Sequence, residues 1–340
     1  MRLELPFIEV SRRLPTVAVV NPVMAVDAVD VTKTYGALRA VDGVSIQVAR
    51  GEVYGVLGPK GAGKTTFLRM LFGLITPHSG TIELSGRSWQ RDGMRTLESV
   101  SGFIESPKFY PYPTGRENLV GMARLDGGAK AGKIDEVLQT VDLAGRDGDR
   151  DGGYSFGMRQ RLGVAAALLL SPLLLVLDEP ANGLDPAGMR HMRALIKRLA
   201  ASGLTVLLSS HDMEEVEEIC DNVTIMRCGT VAHHGTIAQL RTHAPEQGHA
   251  LRTDDDGRVL WLASQDPQVT ASQAPDGGVV VTGAQQAVTA FVRTFVLDGV
   301  GLLALSHTQA SLEALFFMLT DEDQPAPLAS LAAQDRRVAS

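Results

Sequence analysis

Cysteine is nearly absent from the sequence, which argues against a zinc site built on paired cysteines. The two cysteines, Cys220 and Cys228, lack the paired spacing that zinc ligands need. A reducing compartment would keep both side chains as thiols. We therefore assign neither residue a function.

The sequence also lacks an apolar run that could cross a bilayer. The most apolar run, GVAAALLLSPLLLVL from Gly163 to Leu177, is shorter than a membrane helix and is interrupted by Ser171 and Pro172. Residues 1–23 contain no uninterrupted apolar core and no small-residue cleavage site, so they do not form a signal peptide. We expect the protein to remain in the cytoplasm.

A surplus of positive charge is missing as well. The formal net charge is −7 and the isoelectric point is about 5.6. Because binding to phosphates of nucleic acids requires a basic face, this balance argues against a nucleic-acid partner. With 44% hydrophobic residues in 340, the chain has enough apolar material for two or three globular domains.

Strands and helices alternate along most of the chain. GVSIQVA, from Gly43 to Ala49, alternates apolar and polar residues as an antiparallel strand does. Short apolar runs at 52–57, 173–178 and 204–210 indicate buried strands, and residues 88–170 look mainly helical. This order predicts an α/β fold with a parallel core sheet, an antiparallel β subdomain and a helical subdomain over about 88–170.

The composition changes after Leu240 and divides the chain into units. Residues 24–242 form the main domain, 243–257 read as a linker, and 258–320 form a small α+β domain. Within that small domain, RVLWLAS and GGVVVTG are expected to be strands, and ASLEALFFML the final helix. We expect residues 1–23, before Met24, to be a disordered extension or a mis-assigned start, and 321–340 to be a disordered tail.

The strongest local signal is GPKGAGKTT, which lies between a predicted strand and a predicted helix and matches the G-x-x-x-x-G-K-[ST] phosphate-binding loop. Its glycines let backbone N–H groups approach phosphates, Lys64 reaches the β and γ phosphates, and Thr65 can ligate Mg²⁺. The motif predicts that ATP or GTP is bound by Gly58, Pro59, Lys60, Gly61, Ala62, Gly63, Lys64, Thr65 and Thr66.

A second phosphate-site element is LLLVLDEP. Its apolar strand ends in Asp178, which places a carboxylate beside Mg²⁺ at the carboxyl edge of the sheet. Glu179 follows directly and can accept a proton from the attacking water or hold that water in line with the γ phosphate.

Four of the few aromatic residues cluster in FIESPKFYPYPTGRENL, from Phe103 to Leu119: Phe103, Phe109, Tyr110 and Tyr112. The segment also holds three prolines and Glu105. Two interpretations are open, because the rings could belong to the core or could form an apolar loop on which a partner docks.

YSFGMRQRLGVAAALL, at 154–169, resembles the signature of ATP-binding cassette (ABC) proteins, and it follows the order of that family. The phosphate loop comes first, then the segment with Glu105, the signature, LLLVLDEP, NGLDP and SSHD. The resemblance covers residues 25 to about 240 and implies a P-loop ABC ATPase domain. It departs from the commonest pattern at Lys60, Phe156 and Met158.

The resemblance implies roles for five further residues. Tyr35 would stack on adenine, and His211 would lie against the γ phosphate. Ser155 and Gly157 of the signature would face the nucleotide of a second cassette, and Asp185 would join the two active sites. Two ATP molecules are then sandwiched in a dimer, which is expected to be a homodimer.

Glu105 occupies the position at which most ABC ATPases carry a glutamine that links Mg²⁺ to the transmembrane partner. The resemblance therefore favours docking of a permease subunit on the loop from Glu105 to Leu119, and it attaches the protein to the inner face of the membrane. The residues of this loop and of the signature resemble those of the bacterial exporter branch that handles antibiotics, peptides or lantibiotics.

The sequence thus predicts an ATP-hydrolysing subunit that powers a separate membrane permease, with Lys64, Glu179 and His211 as catalytic residues and Thr65, Glu105 and Asp178 as metal ligands. One alternative is a soluble ABC ATPase that acts on ribosomes or DNA. A regulator that binds nucleotide without turnover is disfavoured by the presence of Lys64, Asp178, Glu179 and His211.

Overall fold

A computed structural model describes residues 24–125, 127, 128, 130, 132–242, 248–274, 277–308 and 312–320. The expected extension at 1–23, the tail at 321–340 and the first part of the expected linker, 243–247, lie outside these residues. Among the described helices, none combines the length and the hydrophobicity that crossing a bilayer requires.

The described elements follow in chain order. The first part contains β1 (Met24–Tyr35), β2 (Leu38–Ala49), β3 (Val53–Leu57), α1 (Lys64–Leu71), β4 (Ser79–Leu84), β5 (Arg87–Ser88), α2 (Trp89–Asp92), β6 (Val100–Phe103), α3 (Gly115–Leu125), α4 (Lys133–Thr140) and α5 (Phe156–Leu168). Next come β7 (Leu174–Asp178), α6 (Pro186–Ala201), β8 (Thr205–Ser210), α7 (Met213–Ile219), β9 (Asn222–Arg227), β10 (Thr230–Thr236) and α8 (Ile237–Thr242). The last part contains β11 (Gly248–Thr253), α9 (Asp256–Ser264), β12 (Val269–Gln273), β13 (Val279–Gly283), α10 (Gln285–Leu297), β14 (Leu302–Thr308) and α11 (Leu312–Thr320).

The central sheet has the order β10-β9-β3-β8-β7-β6, and all its neighbouring pairs are parallel except β10 with β9. Every residue of β3, β7 and β8 is buried, as their continuous apolar runs predict. In the register, Leu57 pairs with Ser210, and Asp178 pairs with Ser209. The carboxyl ends of these three strands therefore meet at one edge of the sheet, where α/β proteins bind ligands.

A second sheet, with the order β2-β1-β4-β5, is antiparallel throughout. Val44, Ile46 and Val48 are buried while Ser45 and Gln47 are exposed, as their alternation predicts. Side chains of α1 share one apolar cluster with both sheets. Helix α1 is thereby fixed between the two sheets, and the loop before it is fixed with it.

The predicted helical subdomain contains α3, α4 and α5, but the expectation that residues 88–170 are mainly helical is wrong at 100–103. Those residues form β6, which pairs in parallel with β7. At Gly102 a Cβ atom would lie 1.8 Å from the carbonyl oxygen of Val176, so only glycine permits this approach of the two backbones. The predicted capping box is confirmed, because Glu117 N donates to Thr114 Oγ1 over 3.1 Å and Thr114 N donates to Glu117 Oε2 over 2.8 Å.

The C-terminal part contains a four-stranded antiparallel sheet with the order β12-β13-β11-β14. With α9 after β11 and α10 after β13, the unit has the β-α-β-β-α-β order of ferredoxin-like folds. Two assignments made from the sequence differ from this structure. Residues 248–253, assigned to the linker, form β11, and RVLWLAS lies in α9 rather than in a strand. Asp255 explains the helix, because its side chain caps α9 by accepting from Arg258 N over 2.9 Å.

The described side chains of helix α11 do not belong to the apolar cluster of the small sheet. The buried side chains of the helix belong to the large apolar cluster around the central sheet, and the helix contacts α7, β9 and β10. These side chains are Leu312, Leu315, Phe316 and Leu319. Adjacency in the chain predicts that this helix belongs to the small domain, whereas its packing partners α7, β9 and β10 lie in the first 242 residues.

Candidate active site

The loop from Gly58 to Gly63 connects β3 to α1, and the side chain of Lys64, the first residue of α1, folds back against this loop. The side chain of Lys64 is 5% exposed. Its Nζ donates to the carbonyl oxygens of Gly58 over 2.7 Å and Pro59 over 3.2 Å. The same Nζ lies 3.3 Å from Glu179 Oε1. The ammonium group is therefore held at the junction of β3 and β7.

Two glycines of this loop are required by its geometry. A Cβ atom on Gly58 would lie 2.5 Å from the carbonyl oxygen of Met226, and one on Gly63 would lie 2.3 Å from that of Ala40. Gly63 also has a φ of +102°, which side chains rarely adopt. Any larger residue would displace the loop from the start of α1.

Asp178, at the end of β7, is joined to the loop by a hydroxyl. Thr65 Oγ1 donates to Asp178 Oδ2 over 2.9 Å, and Ser209 Oγ donates to Asp178 Oδ1. Within the described residues, no group of three or more His, Cys, Asp or Glu side chains could hold a metal ion. Thr65 and Asp178 nevertheless supply adjacent oxygen donors, and Mg²⁺ binds through few protein oxygens, completing its shell with water and phosphate. This donor set fits Mg²⁺.

Glu179 lies between two nitrogens. Its Oε1 faces Lys64 Nζ, and its Oε2 lies 3.1 Å from His211 Nδ1. Its backbone has a φ of +46°, and its N–H donates to Ser209 Oγ over 2.9 Å. A non-glycine residue in this left-handed conformation costs free energy and persists where surrounding contacts impose it. The predicted catalytic residues Lys64, Glu179 and His211 thus form one contact chain.

A cavity of about 600 Å³ opens beside the loop, and this volume suits a nucleotide-sized ligand. Its lining includes Tyr35, Arg39, Glu179 and the loop residues from Pro59 to Thr66. The side chain of Tyr35 is 48% exposed, and Lys33 Nζ lies 5.6 Å from the centre of its ring. All the predicted loop residues except Gly58 therefore lie around one cavity.

The three residues assigned to a second cassette lie elsewhere. Ser155 caps α5 by accepting from Met158 N over 3.2 Å, and Asp185 caps α6 by accepting from Gly188 N over 2.8 Å. Neither they nor Gly157 belong to the described residues that line the 600 Å³ cavity. Phe156, which replaces a glycine of the common signature, lies against Gly183 of NGLDP.

Glu105 is on the surface, with 65% of its side chain exposed. Its Oε1 lies 2.6 Å from Arg69 Nη2 on α1, and its φ is +65°. It is absent from the described lining of the 600 Å³ cavity. Arg69 thus engages one carboxylate oxygen of Glu105, and the role of Glu105 as a metal ligand stays a prediction.

The aromatic segment divides into two parts. Phe103 and Phe109 are partly buried and pack against the main apolar cluster, whereas Tyr110 and Tyr112 are 77% and 82% exposed. Asn118 fixes the segment by accepting from Tyr110 N and donating to Tyr110 O, both over 3.0 Å. Two of the four rings therefore pack against the core and two lie on the surface, and docking of a partner on the exposed pair stays a prediction.

Three residues that contact or line the candidate site were not predicted from the sequence. Arg69 and Ser209 contact predicted site residues, and Glu215 lines a second cavity of about 160 Å³ together with Glu179 and His211. Burial raises the pKa of Glu215 to about 7. The serine pair in SSHDMEE and the second glutamate were the available signals, but only the fold brings them to this edge.

Comparisons with known proteins agree with this geometry. The family described as ABC transporter matches residues 41–182. The chain is 37% identical over 295 residues to the bacitracin transport ATP-binding protein BcrA of Bacillus licheniformis, covering 85% of this chain and 95% of that protein. It is 32% identical over 330 residues to the daunorubicin/doxorubicin resistance ATP-binding protein DrrA of Streptomyces peucetius, covering 94% and 99% respectively. A solved structure of an ATP binding subunit of an ABC transporter has a TM-score of 0.57 at 27% identity, covering 64% of this chain and 92% of that chain.

Proposed function

The chain belongs to the ABC transporter family as an ATP-binding and ATP-hydrolysing subunit, and from this premise we propose that it drives export of an antibiotic, peptide or lipid-like molecule through a separate permease. The observation that carries the proposal is the similarity to antibiotic and drug transport subunits over nearly their whole length, including the region after residue 242. The protein is then cytoplasmic and held at the inner face of the membrane by that permease.

We assign ATP binding to the 600 Å³ cavity and the loop beside it. Tyr35 would stack on adenine, and the phosphates would be bound by Lys64 together with Gly58, Pro59, Lys60, Gly61, Ala62, Gly63, Thr65 and Thr66. The support is that Lys64 lies at the base of this loop and that the start of α1 adds partial positive charge.

Thr65 and Asp178 would hold Mg²⁺ together with Glu105, one of whose carboxylate oxygens is paired with Arg69. When bound, Mg²⁺ neutralises charge on the β and γ phosphates. Glu179 would accept the proton of the attacking water at a carboxylate oxygen, and His211 would orient Glu179 and the γ phosphate. Lys64, whose Nζ lies 3.3 Å from Glu179 Oε1, would bind the phosphates with its ammonium group.

We propose that Ser155, Gly157 and Asp185 act across a homodimer. Ser155 caps the amino end of α5, which attracts an anion, and it lies outside the described lining of the cavity that Lys64 lines. The signature therefore has no nucleotide of its own within one chain. A second copy would bring its Lys64 loop to Ser155, with ATP between the two.

The permease would dock on the loop from Glu105 to Leu119. Tyr110 and Tyr112 expose two aromatic rings, while Asn118 keeps their backbone in one conformation. An exposed aromatic surface on a fixed backbone suits a short amphipathic helix of a membrane subunit. Glu105 at its start would connect this contact with the metal site.

The test uses membrane vesicles that contain the chain together with the product of the neighbouring gene, provided that this product has about six apolar spans. We expect ATP-dependent movement of bacitracin or daunorubicin across the membrane, and none with Glu179→Gln. Sedimentation of the chain with ribosomes or DNA, without movement of either compound, would favour the alternative class and contradict the transport proposal.

A further inference from the structure

Glu215, in the first turn of α7, is an acid that the proposed reaction does not use. Its side chain is 3% exposed, and its Oε2 accepts from Ser210 Oγ over 2.6 Å. Its Oε1 has no hydrogen-bond partner among the described residues. A buried carboxylate oxygen without a partner costs folding free energy, and such groups call for a functional explanation.

The contacts of Glu215 extend to both residues that flank His211. Ser210 Oγ, which donates to Glu215, also accepts from Asp212 N over 3.0 Å. Asp212 Oδ1 in turn accepts from Glu214 N over 2.9 Å and from Glu215 N over 3.3 Å. The backbone of His211 is therefore held from both sides by groups bonded to Glu215.

Glu215 is buried, and several charged groups lie near it. Glu179 and Asp212 disfavour its ionised form, while Arg193 on α6 and the hydrogen bond from Ser210 favour it. Helix α11, which also packs against α7, contributes apolar side chains. Burial is the largest influence and raises the pKa of Glu215 to about 7.

We propose that Glu215 is a positioning residue of the ATPase reaction, which holds the segment from Ser210 to Asp212 so that His211 stays within reach of Glu179. The proposal rests on the proposed roles of Glu179 and His211. It also explains the position of Glu215 in the wall of the 160 Å³ cavity that both of those residues line. A displacement of His211 by about 1 Å costs on the order of 10²-fold in rate when the reacting groups must be aligned.

The experiment measures ATP affinity and turnover of the full chain with four variants. Glu215→Ala removes the nearer acceptor of Ser210 Oγ and leaves the carbonyl oxygen of Asp212 at 3.4 Å, whereas Glu215→Gln keeps an acceptor oxygen but cannot ionise. Glu214→Gln is the matched control, since Glu214 is its exposed neighbour in the same helix. Glu179→Gln tests the proposed function itself.

We expect Glu215→Ala to lower kcat on the order of 10- to 100-fold with less than a twofold change in ATP affinity. Glu215→Gln should keep most of the turnover at pH 7. In the wild type, kcat should rise more steeply between pH 6 and 8 than in Glu215→Gln, because the ionised carboxylate binds Ser210 more strongly. Glu214→Gln should match the wild type in kcat, in ATP affinity and in the pH dependence of kcat.

Wild-type kcat in Glu215→Ala, or an equal loss of kcat and ATP affinity, would overturn the proposal. If Glu215→Ala does not fold, the pH profile of Glu215→Gln decides, and a profile identical to the wild type would overturn it. Turnover retained in Glu179→Gln would instead contradict the proposed function, so the two failures are distinguishable.

Discussion

Replacing Glu215 by glutamine should stabilise the protein at alkaline pH. Burial raises the pKa of Glu215 from 4.5 to about 7 in the folded chain. Between these two values the folded protein retains a proton that the unfolded chain releases, so the free energy of unfolding falls as the pH rises through this window. The difference between these two pKa values corresponds to a loss of about 3 kcal/mol above pH 7. Glutamine keeps an acceptor oxygen for Ser210 and does not ionise in this pH range.

The assay is urea denaturation of the wild type, Glu215→Gln and the exposed control Glu214→Gln at pH 5 and pH 8. Relative to the wild type, Glu215→Gln should gain about 3 kcal/mol at pH 8 and much less at pH 5. Glu214→Gln should show no comparable difference between the two pH values. A gain of equal size at both pH values, or a loss at pH 8, would refute the reasoning, because it would mean that Glu215 does not ionise against a burial cost.

Four further predictions concern the site and the fold. Lys64→Ala should abolish ATP binding, whereas Glu179→Gln should retain ATP in a stable dimer, as measured by nucleotide binding and gel filtration; equal ATPase rates for Glu179→Gln and the wild type would contradict the assignment. Glu105→Gln should bind ATP at least as tightly with a modest change in turnover, since the amide removes repulsion toward the phosphates, and Glu105→Ala should hydrolyse ATP without stimulation by the permease. Tyr110→Ala should weaken capture by the permease at unchanged ATP affinity, and normal capture would exclude the docking loop. Truncation before Gly248 should lower Tm, because it removes Leu312, Leu315, Phe316 and Leu319, which are buried and each contribute about 1.5–3 kcal/mol; an unchanged Tm would show that this packing is dispensable.

The sequence predicted the site best where local pattern and chemistry coincide. A strand, a glycine-rich loop and a helix in succession leave Lys64 few possible positions, and the end of a buried strand does the same for Asp178. Contacts between distant segments could not be predicted in this way. Glu105 and Arg69 are 36 residues apart, and the ion pair depends on how the segment after β6 passes over α1.

The secondary structure shows the same limit. RVLWLAS has apolar residues that suit either a strand or a buried helix face, and its helix depends on the cap that Asp255 provides just before it. ASLEALFFML was correctly predicted as a helix, but its sequence neighbours did not reveal its packing partners. The one signal in the sequence was that this apolar helix follows a small sheet that is already complete, which indicates that the helix packs on another part of the protein.

The return of α11 to the main core affects the order in which the protein can be completed during synthesis. Chains generally fold from the amino end as they emerge from the ribosome. Here the apolar sides of α7 and β9 that contact α11 are made roughly a hundred residues before the helix that covers them. The small sheet of β11 to β14 is synthesised in that interval. The ATPase core therefore presents uncovered apolar surface until the small sheet and then α11 have left the ribosome. The number of residues in the small sheet thus sets how long that surface stays exposed during synthesis.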